Sequence, residues 1–393
     1  RRYDGANLVA AAYTGWNIFD LSAQKGSLMA TLPEKLRDRI VKSGPLTIEQ
    51  YMSEALSDPE YGYYRVNHPI GKKGDFITSP EISQLFGEMI GLWCAVSWQQ
   101  MGSPSDINLI ELGPGRGTMI SDVLRTIDIV PEFKKAAKIH LVESNRELQK
   151  LQQKSMGLSS KNCIWHETFD SVPEAPFLLL ANEFLDALPI RQFLFTKSGW
   201  CERQVDFDKE KNAFTWILGE PQPSNPYLLE FADRKWSDGI IYEFSELARE
   251  LTEKISTGII KNKGRALLID YGYNQNQGGD TFQAVHNHKY VDPLVNAGDA
   301  DLSAHVDFGA VKLIAEKFGV KVNGPITQRD FLIQLGVEVR AKKLMDKSST
   351  EQAINIKTGL DRLISRARMG ELFKVICLSN FDTPPPEGFE GIS

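Results

Sequence analysis

One segment constrains the fold more than any other: Leu109-Ile110-Glu111-Leu112-Gly113-Pro114-Gly115-Arg116-Gly117-Thr118, an apolar run that ends near a carboxylate and breaks into alternating glycines. A run this short suits a buried strand, and the residues after the glycines read as the start of a helix, so the segment is a strand, turn and helix of an α/β sheet. Glycines at alternate positions turn the backbone sharply and let it approach a ligand without Cβ interference. The helix behind them offers unpaired N–H groups in its first turn. A dinucleotide fingerprint needs G-x-G-x-x-G, and here the sixth position is Thr118. The pattern therefore fits a smaller adenosyl cofactor, S-adenosylmethionine, whose ammonium group Glu111 is placed to bind. The expected cofactor-binding residues are Glu111, Gly113, Pro114, Gly115, Gly117 and Thr118.

Beyond residue 107 strands and helices alternate. Strands are expected at 108–112, 139–143, 162–166, 177–181 and 266–270, with helices at 119–127 and 146–155 between them. Short apolar strands separated by helices predict a doubly covered, mostly parallel Rossmann-like sheet. An insertion of roughly 75 residues, about 191–264, separates the fourth strand from the fifth, too long for an unstructured loop. Within it, 192–196 and 202–207 read as a hairpin and 242–255 as an amphipathic helix. Further on, a helix is expected at 302–318, a strand at 320–323, and a last strand at 373–378. Residues 29–107 form the expected N-terminal helical and lid region, 108–380 the catalytic domain, and 381–393 a loose tail. Residues 1–28 are expected to be a non-native or disordered extension, with Met29 as a natural start; their two arginines leave a mitochondrial presequence as the alternative.

Composition narrows the chemistry. A net charge of −6 argues against broad nucleic-acid contact. The four cysteines are scattered without a C-x-x-C, and His286 and His288 have no third ligand at metal spacing, so neither disulfides nor a metal is expected. The apolar run Phe177-Leu178-Leu179-Leu180-Ala181 is too short to span a membrane.

Acids at strand ends supply the remaining candidates. Glu143 closes a strand where a nucleotide site places an acid for ribose hydroxyls, and Glu167, past the next strand, is a candidate for the adenine amino group. The loop Asn182-Glu183-Phe184-Leu185-Asp186-Ala187-Leu188-Pro189 lies at a carboxyl strand end, the edge where open sheets bind ligands. Asn182 is expected beside the cofactor. Two acids there suit a cationic acceptor: carboxylates bind a guanidinium bidentately, orient a nitrogen lone pair and receive a proton. Glu183 is the first choice for that role and Asp186 the second; the plainer alternative makes Asp186 a helix cap and Glu183 a solvated acid. His305, among several acids, is a third catalytic candidate, with a structural histidine as its alternative. The Gly-, Pro- and Tyr-rich loops around Tyr63, Gly74, Asp75, Phe76, Thr78, Ser79 and Pro80 are expected to close over the cofactor and admit a bulky acceptor.

Five motifs in order, Gly74-Asp75-Phe76-x-Thr78-Ser79-Pro80-Glu81, the glycine turn, the Asn182–Pro189 loop, Asp270-Tyr271-Gly272 and the 301–308 segment with its Ser303-Ala304-His305-Val306-Asp307 run, resemble the MidA family of methyltransferases. The resemblance covers about 32–378. It implies a class I methyltransferase fold, S-adenosylmethionine as cofactor and, by analogy with the mitochondrial members, methylation of an arginine in a core subunit of respiratory complex I. It also implies a protein substrate, and a homodimer is compatible with it; the net charge and the short apolar runs predict no nucleic acid and no membrane span. The segment Met369-Gly370-x-Leu372-Phe373-Lys374-Val375 resembles bacterial members more than mitochondrial ones, which points to the cytoplasm, with the mitochondrial matrix as the alternative. Two competing functions stay open: methylation of RNA or a small molecule, and a noncatalytic assembly factor that keeps the fold for docking.

Overall fold

A computed structural model describes residues 31–66, 78–157, 163–223, 225, 228, 236–275 and 277–391. Gly74, Asp75 and Phe76 lie outside the described residues. The described residues open with the helix Leu32–Ser43, the two-residue strand β1 (Leu46–Thr47) and the helix Ile48–Ser57. Capping boxes at Thr31 and Thr47 start both helices, each threonine pairing with the residue three positions on. The helix Gln84–Gln100 then leads to β2 (Ile107–Leu112), which runs into the glycine turn and the helix Thr118–Ile127.

The central sheet adds β3 (Ala137–Val142), β4 (Cys163–His166), β5 (Phe177–Asn182), β10 (Arg265–Tyr273), β15 (Lys321–Thr327) and β16 (Phe373–Ser379). Its order is β15-β16-β10-β5-β2-β3-β4. Strands β2 to β5 and β10 pair in parallel, and β16 runs antiparallel to β10 and β15. Period-two alternation splits the strand residues between two cores. Leu109, Leu178, Leu180, Leu267 and Ile269 face the helix Gln84–Gln100 and the C-terminal helices, while Ile110, Leu112, Leu179 and Leu268 face the helices Glu246–Asn262 and Phe308–Lys317. The chain order reverses at β2, with β3 on one side and β5 on the other. The crevice at that switch point is where an open α/β sheet binds its ligand.

The insertion holds β6 (Arg191–Thr196), β7 (Gly199–Asp208), β8 (Ala213–Pro221) and β9 (Ile241–Phe244). The expected lid and insertion share one sheet. Strand β1 pairs with β7 through Leu46 opposite Val205, giving the order β1-β7-β6-β9 with β8 on β7. The reason is burial: the apolar stripes of the two N-terminal helices, Leu36, Ile40, Ile48, Tyr51 and Met52, pack in one core with Val205, Phe282 and Leu302.

Three expectations are corrected. Residues 242–244 extend a strand rather than open a helix, because the next helix is capped by the Ser245 hydroxyl, which accepts the Ala248 N–H. The 302–318 segment is helical only from Phe308. Before it, β13 (Asp301–Ser303) pairs with β11 (Gln283–His286), itself paired with β12 (Lys289–Val291), and β14 (Val306–Asp307) pairs with β10. The tail is anchored rather than loose: Arg265, fully buried, donates to the Pro384 carbonyl at 2.8 Å, and Phe389 packs on Phe331 with ring centroids 5.4 Å apart.

Candidate active site

A cavity of about 930 Å³ opens at the switch point. Its lining includes Gly113 and Gly115 after β2, Glu143 and Asn145 after β3, Glu183 and Asp186 after β5, Tyr271 on β10 and Asp301 on β13. Tyr64, Arg65 and Thr78 join them, and Arg39 and Glu54 bring in the two N-terminal helices.

The glycine turn has the left-handed backbone its sequence requires: Gly113, Gly115 and Gly117 have φ of 58°, 53° and 76°. A Cβ on Gly113 would lie 2.5 Å from Cδ2 of Phe184, so the turn and the 183–186 loop pack without space for a side chain. Thr118 lies off the cavity, and its hydroxyl donates to Glu81. Gln152, buried and unforeseen in the sequence, ties two parts of the site together. Its Nε2 donates to the Gly115 carbonyl at 2.8 Å and to Oε2 of Glu143 at 3.2 Å, while its Oε1 accepts the Trp165 indole N–H at 2.7 Å. Its helical position among other polar residues carried no sign of this.

Glu143 lines the cavity, and its Oε1 accepts the Asn145 N–H at 2.7 Å. Burial raises it to about 7 against the pull of Asn145 and Gln152. Glu111 is buried behind the turn, and its Oε2 has no hydrogen-bond partner. Burial pushes it up to about 8. An unpaired buried carboxylate oxygen is costly, and Glu111 stands behind the cavity wall rather than among the residues that line it. Glu167 is exposed and contributes nothing to the cavity, because β4 is the edge strand and its end points past the site.

The β5 loop carries both acceptor candidates. Glu183 adopts φ of 49°, uncommon outside glycine. Its Oε1 accepts the Ser79 N–H at 2.9 Å and the Asn182 amide at 3.3 Å. Asn182 and Ser79 thus support Glu183 from outside the lining, with Pro80 buried beside Ser79. Burial lifts Glu183 to about 7 and Asp186 to about 6. Oδ2 of Asp186 accepts the Tyr271 hydroxyl at 2.7 Å, while its Oδ1 is buried without a partner. A second pair of this kind stands nearby, where the Tyr64 hydroxyl donates to Oδ1 of Asp301 at 3.0 Å.

Two aromatic expectations change place. Tyr63 is fully buried in the N-terminal core, and its neighbour Tyr64 lines the cavity instead. His305 stands edge-on to Tyr271, with ring centroids 5.4 Å apart, and lines a separate small cavity; it is removed from the catalytic set. Among the described residues, no group of side chains could hold a metal ion and no helix is long and apolar enough to cross a membrane.

The comparisons agree with this geometry. A model of an S-adenosyl-L-methionine-dependent methyltransferase family matches residues 89–326. The chain belongs to that family. The methyltransferase is 34% identical to the Drosophila melanogaster "Protein arginine methyltransferase NDUFAF7 homolog, mitochondrial", covering 94% of this chain and 91% of the relative. It is 34% identical to the Homo sapiens "Protein arginine methyltransferase NDUFAF7, mitochondrial", over 86% and 81%. A solved Burkholderia thailandensis structure, bound to S-adenosyl-homocysteine, superposes with a TM-score of 0.79 at 24% identity, covering 100% of this chain and 98% of that one.

The enzyme uses S-adenosylmethionine. The site fits that cofactor: the glycine turn leaves Gly113 and Gly115 without side chains at the cavity wall, Glu143 faces the cavity, and Glu111 holds an unpaired buried oxygen.

Proposed function

We propose that this methyltransferase is a protein arginine N-methyltransferase, with a complex I subunit as its substrate. One observation carries the reading: the cavity that holds the glycine turn and Glu143 also holds the half-buried acids Glu183 and Asp186 and the buried Asp301. Carboxylates bind a guanidinium by paired hydrogen bonds, and a water-poor site strengthens each one. The names of the relatives support arginine as the acceptor, and their mitochondrial location supports the matrix as the compartment.

In this reading Glu111 holds the ammonium group of S-adenosylmethionine and Glu143 the ribose hydroxyls. The bound cofactor supplies a methyl group on a sulfonium sulfur. Glu183 and Asp186 orient the guanidinium so that one nitrogen lone pair faces that methyl, and a carboxylate oxygen of Glu183 receives the proton the nitrogen releases. Tyr271 fixes the Asp186 carboxylate through its hydroxyl.

Calorimetry with S-adenosylmethionine, followed by mass spectrometry of methylarginine in cells carrying wild type or Gly115→Val, tests the proposal. Cofactor binding with a methylarginine mark lost in the variant supports it. Binding without any lost mark favours the docking role. A mark undiminished in Glu183→Gln removes Glu183 from the acceptor site.

A further inference from the structure

Three consecutive residues of β10 hold three consecutive parts of the acceptor loop. The Ile269 carbonyl accepts the Glu183 N–H at 2.9 Å. Oδ2 of Asp270 accepts the next three backbone N–H groups, from Phe184 at 3.1 Å, Leu185 at 2.9 Å and Asp186 at 3.2 Å. The Tyr271 hydroxyl then holds the Asp186 side chain. Oδ1 of Asp270 accepts the Tyr271 N–H at 2.9 Å, so both oxygens of this buried carboxylate are engaged.

We propose that Asp270 is a positioning residue for methyl transfer: its carboxylate fills the nest of N–H groups at 184–186 and so fixes the directions of Glu183 and Asp186. Successive N–H groups that converge on one point form an anion-binding concavity, and here the anion is part of the protein. A non-glycine residue at φ of 49° persists only where its surroundings hold it. The loop is held on one side by Asp270 and on the other by Ser79, whose N–H donates to Glu183. Asp270 does not line the cavity, so it acts through the loop and touches no substrate. Burial, together with Asp186 and Glu183, raises Asp270 well above the usual carboxylate range, while its N–H bonds pull the other way. A third acid in so unfavourable a place is explained by the bonds it makes.

The inference rests on Glu183 and Asp186 being the acceptor acids, and the test separates the two ideas. Asp270→Asn keeps the shape but turns an amide NH₂ toward either the loop N–H groups or the Tyr271 N–H. Hydrogen exchange of the 184–186 amides is expected to rise at least about tenfold. With S-adenosylmethionine and complex I purified from cells lacking the enzyme, kcat is expected to fall about 100-fold, while the calorimetric Kd for S-adenosylmethionine stays within about threefold. In a Glu183→Gln background the kcat effect of Asp270→Asn should largely vanish. Unchanged exchange, unchanged turnover, or cofactor affinity falling in step with turnover would each overturn the proposal. If Asp270→Asn does not fold, Asp270→Glu keeps the charge and displaces the oxygens; a lower kcat at unchanged cofactor affinity supports positioning, and wild-type turnover overturns it. If Glu183→Gln itself retains turnover, the acceptor assignment falls and with it the positioning role, whatever the exchange data show for the loop. Wild type inactive on complex I removes only that substrate, and the exchange and cofactor measurements then decide for Asp270.

Discussion

The hydroxyl of Tyr271 donates to Oδ2 of Asp186 at 2.7 Å, joining the ends of two neighbouring strands, β5 and β10, that the whole insertion separates in sequence. This wall of the cavity therefore joins segments from either side of the insertion, and the other Asp186 oxygen has no partner.

Removing that hydroxyl tests its role. Tyr271→Phe keeps the ring against His305 and Phe373 and loses one bond to an acid worth about 1.5–3 kcal/mol. Turnover is expected to fall about tenfold or more, with S-adenosylmethionine affinity unchanged by calorimetry. Equal losses in both would assign Tyr271 to the cofactor end.

The buried acids set a pH dependence. Glu143 and Glu183 sit near 7 and Glu111 near 8, against about 4.3 for an unfolded glutamate. For a raised folded pKa, the contribution to stability is full below the unfolded value and is lost as pH rises through the folded one. The unliganded protein should therefore lose thermal stability between about pH 5 and 8. A cationic ligand favours the carboxylate forms, so the Tm increase given by S-adenosylmethionine should grow over the same range. Thermal melts from pH 5.5 to 8.5 with and without cofactor check both trends, and Glu111→Gln should flatten the second.

Gly113→Ala strains the turn twice, through a φ of 58° and a Cβ 2.5 Å from Phe184. Strain of about 1–3 kcal/mol corresponds to roughly a 5- to 150-fold loss of S-adenosylmethionine affinity. Titration calorimetry reads it directly. Wild-type affinity would mean that the turn and loop can separate freely.

Gln152→Leu leaves the Glu143 and Trp165 partners short of a bond while keeping the side chain's length. The Kd for S-adenosylmethionine should rise about tenfold, and kcat at saturating cofactor should stay near wild type. A fall in kcat alone would show that Gln152 serves the acceptor instead.

The parts of the site legible in the sequence are those built from neighbours in the chain. The strand, the alternating glycines and the helix after them are local, and so are the turn's positive φ values. Where a position depends on how far a strand reaches, the sequence misled: Glu143 and Glu167 come after consecutive strands, yet only Glu143, beside β2, faces the cavity. Tyr63 and Tyr64 are identical in type and adjacent, but one short helical turn sends the first into the core and the second to Asp301. His305 among acids resembled a catalytic group, but packing sets it edge-on to Tyr271 and lining a separate small cavity.

The sequence by itself determined a parallel α/β sheet with a glycine turn suited to S-adenosylmethionine, because strand burial, turn geometry and helix capping are written within a few residues of one another. Only the tertiary structure decided that the N-terminal helices and the insertion share a sheet, and that Asp186 meets Tyr271 and Tyr64 meets Asp301. These pairings join residues 85 and 237 positions apart. No periodicity spans such distances; only the burial of many side chains at once can select the partners.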